Sequence, residues 1–564
     1  MVIVPNSRIR LLKSPIELDN RNQLTFSNIN TQTNYFLSLP YLEYDNCTYQ
    51  RKEGVIRYET EPNGITYEDL LGYNYCMYQN TAYDNKWFYA FITDVRYIND
   101  GMTEIKIDTD VIQTWKFEIN YKKSFIEREH TNDDTIGSNL IPEDLDFGEF
   151  VNATYSEDTA VSNNNYICVM STKDIGDGSA VFSSKGVLLN GIYNGLTYAF
   201  FEDETVNNNT VSAWWLANKY IDYFATTTGY NVEDVVAVFM CPKALLGNNK
   251  DDRHFWKSGD TNYYYWVPTG STTPVMMQNY IVRDIFTMSG GYTPRNKKLL
   301  CYPYRYLLAT NNTGETVIYQ YEYFARDIDA QGRNQIKFKT YGDISQGCSM
   351  KCVPQNYKNI SNDNYIEAIN YSKFPIGAWV GDSYTNWLTQ NAINHKVSEI
   401  TGVAKATAGA IQLGAGAMVG SGTGAESGAG NLMSGISQIV GVALDKYEHS
   451  FMPSQANGNL NVGDVNFSLG LNDITFYHMS ITPQYCNIID QFFDMFGYKV
   501  HQVKYPNIEG RLNWNYVKTL GLNITGDIPQ EDMQKIKNIF DNGITFWHNP
   551  STFLDYSQSN TIVS

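Results

Sequence analysis

Apolar and polar residues alternate through residues 86 to 110, KWFYAFITDVRYINDGMTEIKIDTD, in two runs that flank Asn99-Asp100-Gly101. Period-two alternation turns one strand face toward a core, and Asn-Asp-Gly is turn chemistry, so this stretch predicts a β-hairpin. Residues 316 to 343, TVIYQYEYFARDIDAQGRNQIKFKTYGD, predict a second. There Ile336, Phe338 and Thr340 share one face, with Lys337 and Lys339 on the other. The pattern lengthens to helical spacing in NNTVSAWWLANKYIDYFATTTG, residues 208 to 229. Its Trp214, Trp215 and Tyr220 would suit a glycan-binding surface, but such aromatics more often belong to the core. A second helix is expected in GDIPQEDMQKIKNIFDNG, with Asp527 as cap, Pro529 in the first turn and Gly543 as the stop. Met533, Ile536 and Phe540 lie on one side of it, and a strand-like ITFWH follows.

One segment breaks this pattern. Residues 402 to 444 carry only Lys405 and Glu426 as charges, and Gly and Ala fill 20 of the 43 positions. Residues 406–425 and 427–444 are each nearly long enough to cross a bilayer core, which takes about 20 apolar residues. Glu426, among Gly422, Gly424, Gly428 and Gly430, marks a polar tip between two arms. The apolar positions are Ile411, Leu413, Met418, Val419, Leu432, Met433, Ile436, Ile439, Val440 and Leu444. Gly402, Ala406, Ala410 and Gly414 recur every fourth residue, as do Gly416, Gly420, Gly424 and Gly428, a spacing that lets helix backbones approach closely. Gly and Ala bury little surface, so a lone hairpin would insert weakly and several copies would have to pack together. Other readings are a linker, an internal helical hairpin, and a partly disordered segment. The large apolar residues argue against the linker.

Composition narrows the class. Tyrosine alone contributes 43 residues, and with abundant Asn and Gly this favours strands and turns: a mainly β protein with some α. The 564 residues imply several packing units. A net charge of −18, without clustered Lys and Arg, excludes a phosphate-gripping surface. The eight cysteines include one close pair, Cys348 and Cys352, without a second pair or a His at ligand spacing, so buried thiols are expected and no metal. The N-terminus, MVIVPNSRIRLLKSPIEL, lacks the apolar core of a signal peptide, so cytoplasmic assembly is expected. P-loop, dinucleotide, HExxH and GxSxG patterns are all missing. His130 beside Glu127, Arg128 and Glu129 is read as a structural cluster. Asp108 and Asp110, one strand period apart, are expected on one face as solvated strand-end residues, although paired carboxylates also suit glycosidases. Neither a cofactor nor catalysis is expected.

Three blocks resemble one family. In residues 107 to 150 the specific parts are Asp110-x-x-Gln113-Thr114-Trp115, FIEREH and IPEDLDFGE; the other blocks are NKKLLCYPYRYL (296–307) and WNYVKTLGL through FWHNP (514–550). They resemble the tail knob, or distal tail tube, proteins of picovirus-type short-tailed phages infecting Gram-positive bacteria. That resemblance implies a late virion protein, assembled in the host cytoplasm as a homohexameric tube with a β-barrel wall and a knob. It also implies a long hydrophobic loop that plugs the tube, then exits and opens the host membrane for DNA. Residues 402–444 occupy the matching place. The expected division is 1–155 tube, 156–295 knob-type insert, 296–400 continuing β structure, 401–446 membrane-active loop and 447–564 tube. Implied partners are the proximal tube or lower collar, receptor-binding appendages, a tail-tip protein, the host membrane, and viral DNA passing unread along an acidic lumen. The alternative is a receptor-binding adhesin or a tail-tip glycan hydrolase.

Overall fold

Asn99-Asp100-Gly101 does reverse the chain. In the computed structural model, Phe88–Asn99 and Met102–Thr109 pair antiparallel with Asn99 opposite Met102, and the Asn99 carboxamide accepts from Gly101 N–H at 3.0 Å. The structure describes residues 7–47, 54–60, 64–157, 165–175, 188–189, 192–193, 195–227, 230, 234–248, 250, 253–269, 275–377 and 472–563. The fold is mainly β with a minority of helix. It separates into two units: residues 1–145, 296–298 and 488–564, and residues 146–295 and 299–487.

The first unit is built on two sheets. One runs in the order Tyr41–Cys47, Ser7–Leu12, Tyr75–Asn80, Phe88–Asn99, Met102–Thr109, Val55–Glu59. Its two edge strands are consecutive in the chain, so the sheet has to curl to let so short a connection join them. The rings of Tyr44 and Tyr58, one from each edge strand, lie 5.2 Å apart over a shared core containing Ile9, Leu11, Ile56 and Ile105. The second sheet orders Asn22–Leu24, Ile544–Trp547, Trp514–Leu520, Ser124–Glu129 and Tyr498–Lys504. Trp514 and Trp547, both fully buried, pack at 5.1 Å in a cluster with Leu24, Phe36 and Tyr75.

The expected C-terminal helix spans Gln530–Asn542, with Ile536 and Phe540 buried and Met533 packed at the margin. Gly543 stops it at φ +94, a conformation L side chains rarely adopt. The cap differs from expectation: Pro529 holds the N-cap position and no side chain caps the helix, so Asp527 does not serve. Asp108 and Asp110 part company as well. The strand ends at Thr109, and Asp110 turns inward to cap the helix Val111–Trp115, whereas Asp108 meets Lys535 at 3.1 Å at the surface.

The second unit holds three four-stranded sheets around one aromatic core. The helix Ala213–Thr226, capped by Ser212, lays Leu216, Tyr220 and Phe224 into that core at i, i+4, i+8 spacing. Trp215 instead stays exposed beside Tyr263. The hairpin expected over 316–343 does not form. Thr316–Tyr319 pairs with Arg305–Thr310, and Asn334–Gly342 pairs with Val275–Asp284 and Met350–Pro354. Tyr321 and Phe324 are buried in the intervening segment, and burying those rings takes the chain off the hairpin path. The facial assignment survives: Ile336, Phe338 and Thr340 are buried and Lys337 is exposed. All eight cysteines are buried thiols, none in a disulfide, and Cys348 Sγ donates to the Met240 carbonyl at 3.3 Å. No three His, Cys, Asp or Glu among the described residues are grouped to hold a metal.

Candidate functional site

The ten apolar positions from Ile411 to Leu444, the small-residue positions from Ala406 to Gly424, and Glu426 lie outside the described residues. What the structure describes is the base from which that segment departs and to which it returns. Ile376–Gly377 pairs with Phe239 and Val238, and Phe374 is fully buried. On the return side Ile474 is fully buried and leads into Thr475–Ile481. The two sides meet: Ser372 Oγ donates to Asn472 Oδ1 at 3.3 Å, and Asn312 donates to the Asp473 carbonyl at 3.1 Å. Ser372 and Asn472, 100 residues apart in sequence, are therefore neighbours on a packed core.

The motif Asp110-x-x-Gln113-Thr114-Trp115 forms a buried polar network in the first unit. Asp110 Oδ1 accepts from the backbone N–H of Ile112 and Gln113 at 3.1 and 3.0 Å, and Oδ2 accepts from the Tyr75 hydroxyl at 2.8 Å. Gln23 donates to it at 3.2 Å. Burial nevertheless raises the Asp110 carboxyl to about 6, against the pull of those donors. Gln113 donates to Gln23 and to the Leu24 carbonyl, and Gln32 donates to Gln113. Thr114 exchanges hydrogen bonds with the Tyr89 backbone, and Trp115 Nε1 reaches Asp532 at 2.9 Å.

The 107–150 and 296–307 blocks meet around Glu143. Its side chain is fully buried and takes Arg128, Lys298 at 2.5 Å and the Lys499 N–H at 3.0 Å. Arg128 also donates to the Gly497 carbonyl at 2.7 Å. Asn296 donates to Asp490 and Asp494. His130, read as a structural residue, is one: its Nδ1 accepts from Tyr516 N–H at 2.7 Å and its Nε2 lies 3.0 Å from the Asp494 carbonyl. Burial, with Arg511 nearby, lowers its pKa to about 3, so the ring stays neutral. A buried charge left without its partner is costly, so these residues lock one arrangement of the unit; none presents a free nucleophile beside a base. Sequence reasoning missed the Glu143 cluster, since nothing local distinguishes Glu143 from the exposed acids beside it.

A family model described as Bacillus phage phi29, Tail knob protein gp9, C-terminal domain matches residues 269–561. A second, described as Caudoviral major tail protein N-terminus, matches residues 5–122. Tail knob protein gp9 of Bacillus phage PZA is 27% identical, covering 97% of this chain and 98% of its own. The gp9 proteins of Bacillus phages B103 and phi29 are each 26% identical over 97% of this chain. The solved structure of the bacteriophage C1 tail knob protein, gp12, aligns over 99% of this chain and all of its own, with a TM-score of 0.65 at 16% identity, a likeness of fold. A family model over more than half of the chain, and relatives that match nearly its whole length, place it in the phi29-type tail knob family, whose members are structural components of the phage tail.

Proposed function

We propose that this protein forms the distal tail tube and knob through which DNA leaves the virion, and that residues 402–444 open the host membrane. Six copies would close the tube, with the curled six-stranded sheet of the first unit in its wall and the second unit as the knob. The observation that carries the membrane reading is the shared base at Ser372 and Asn472, from which a segment bearing the Gly/Ala-rich stretch leaves and returns. Such an excursion can be deployed without taking apart the core that anchors it. In a bilayer its backbone groups must be satisfied internally, which favours helices for the inserted form.

The test is dye release from liposomes by the full chain and by a deletion lacking 402–444. The full chain is expected to release dye when the segment is exposed, and the deletion to fold yet release none. Intact liposomes in both cases would sink the membrane role and leave a tail component alone.

A further inference from the structure

The first unit contains a pocket of about 500 Å³ that the tube reading does not use. Its size falls within the span of ligand sites, about 300–1,000 Å³. The helix Ile29–Ser38 forms one wall, the turn after Thr81–Tyr83 another, and the chain following Val111–Trp115 closes it. The motif network fixes the inner end, because Gln32 is tied to Gln113 and Thr114 to Tyr89.

Its chemistry is selective. Trp87 and Phe117 present aromatic surface, and Asn30, Asn34 and Asn85 present carboxamides that both donate and accept. Asp84 and Glu118 add carboxylates. The single lysine, Lys86, is already engaged: it pairs with Glu118 at 2.6 Å and stands 4.0 Å over the Trp115 ring. A phosphate or other anion would therefore meet uncompensated negative charge, and an acyl chain would strand the carboxamides. One group at the inner end is poorly partnered. Tyr89 lines the pocket and is 2% exposed, and its hydroxyl has no hydrogen bond of ordinary geometry, the Thr33 side chain beside it offering at most a weak one. A buried hydroxyl so poorly partnered is destabilising unless something completes it.

We propose that this pocket binds a neutral, hydroxyl-rich ring, a monosaccharide unit of a glycan, stacked between Trp87 and Phe117 and reaching the Tyr89 hydroxyl. This stands on the pocket alone and does not depend on the tube or membrane reading. Occupation by a side chain of a second copy, or binding of an anion, are the competing outcomes.

The test uses the full chain with glucose, galactose and N-acetylglucosamine as probes, followed by saturation-transfer NMR. At least one sugar is expected to bind saturably. Tyr89→Phe should weaken it by roughly fivefold or more, the worth of one hydrogen bond, while thermal stability holds or rises because a poorly satisfied hydroxyl has gone. Asn34→Arg, at an exposed position on the rim, should abolish binding and leave the fold intact. Lack of saturable binding by all three sugars would overturn the proposal. So would binding unchanged in both variants, or sugar displaced by inorganic phosphate.

Discussion

Asp110 concentrates the conflict between capping and burial in one residue. It satisfies two backbone N–H groups and a tyrosine, but holds its charge away from water, and desolvation lifts its carboxyl to about 6 from the ordinary 3.8. The folded state thus binds the proton more tightly than the unfolded chain. Stability owed to this group is greatest below about pH 4 and declines as pH rises through about 6. Asp110→Asn keeps the cap and removes the titration. Chemical denaturation across that window should find the stability of wild type relative to Asp110→Asn falling with rising pH. A constant difference would show that Asp110 is ionised throughout.

At the scale of elements, the shared base predicts how the chain tolerates shortening. Loop closure depends only weakly on length, so removing 402–444 should change stability by about 0.5 kcal/mol through the loop term. Denaturant midpoints of the full chain and the deletion should nearly coincide; a large loss would mean that the segment packs as core. Elements also show what could be read in advance. The 88–109 hairpin was legible because turn and partner strands are adjacent, and the C-terminal helix because its apolar spacing is local. The 316–343 hairpin failed because Asn334–Gly342 finds its partners at 275–284 and 350–354, pairings that leave no local mark. Asp110 was misjudged by extending the strand period past Thr109. Residues 402–444 stood out by composition alone, whereas the Glu143 cluster and the Tyr89 pocket join residues too far apart in sequence to suggest each other.

For the whole molecule, buried histidines set the response to acid. Burial lowers His130 to about 3 and His478 and His548 to about 4, each below the ordinary value of 6.5. Groups depressed in this way contribute stability that is full above about pH 6.5 and is lost as pH falls toward those values. Three such residues outweigh the opposite trend of Asp110, so thermal unfolding should shift to lower temperature between about pH 6.5 and 4, before most carboxylates titrate. Calorimetry over that range should detect proton uptake on unfolding; a flat profile would contradict the neutral, buried assignments.

The junction of Ser372 with Asn472 carries a geometric corollary. A strand of chain fastened at both ends to the same spot can pass through any barrier only an even number of times. If the Gly/Ala-rich arms enter a bilayer, each copy must traverse it twice or not at all, and the folded body stays on the side from which it came. The number of helices lining an opening would then be a multiple of two per copy, a parity that follows from both ends of the segment belonging to one folded body.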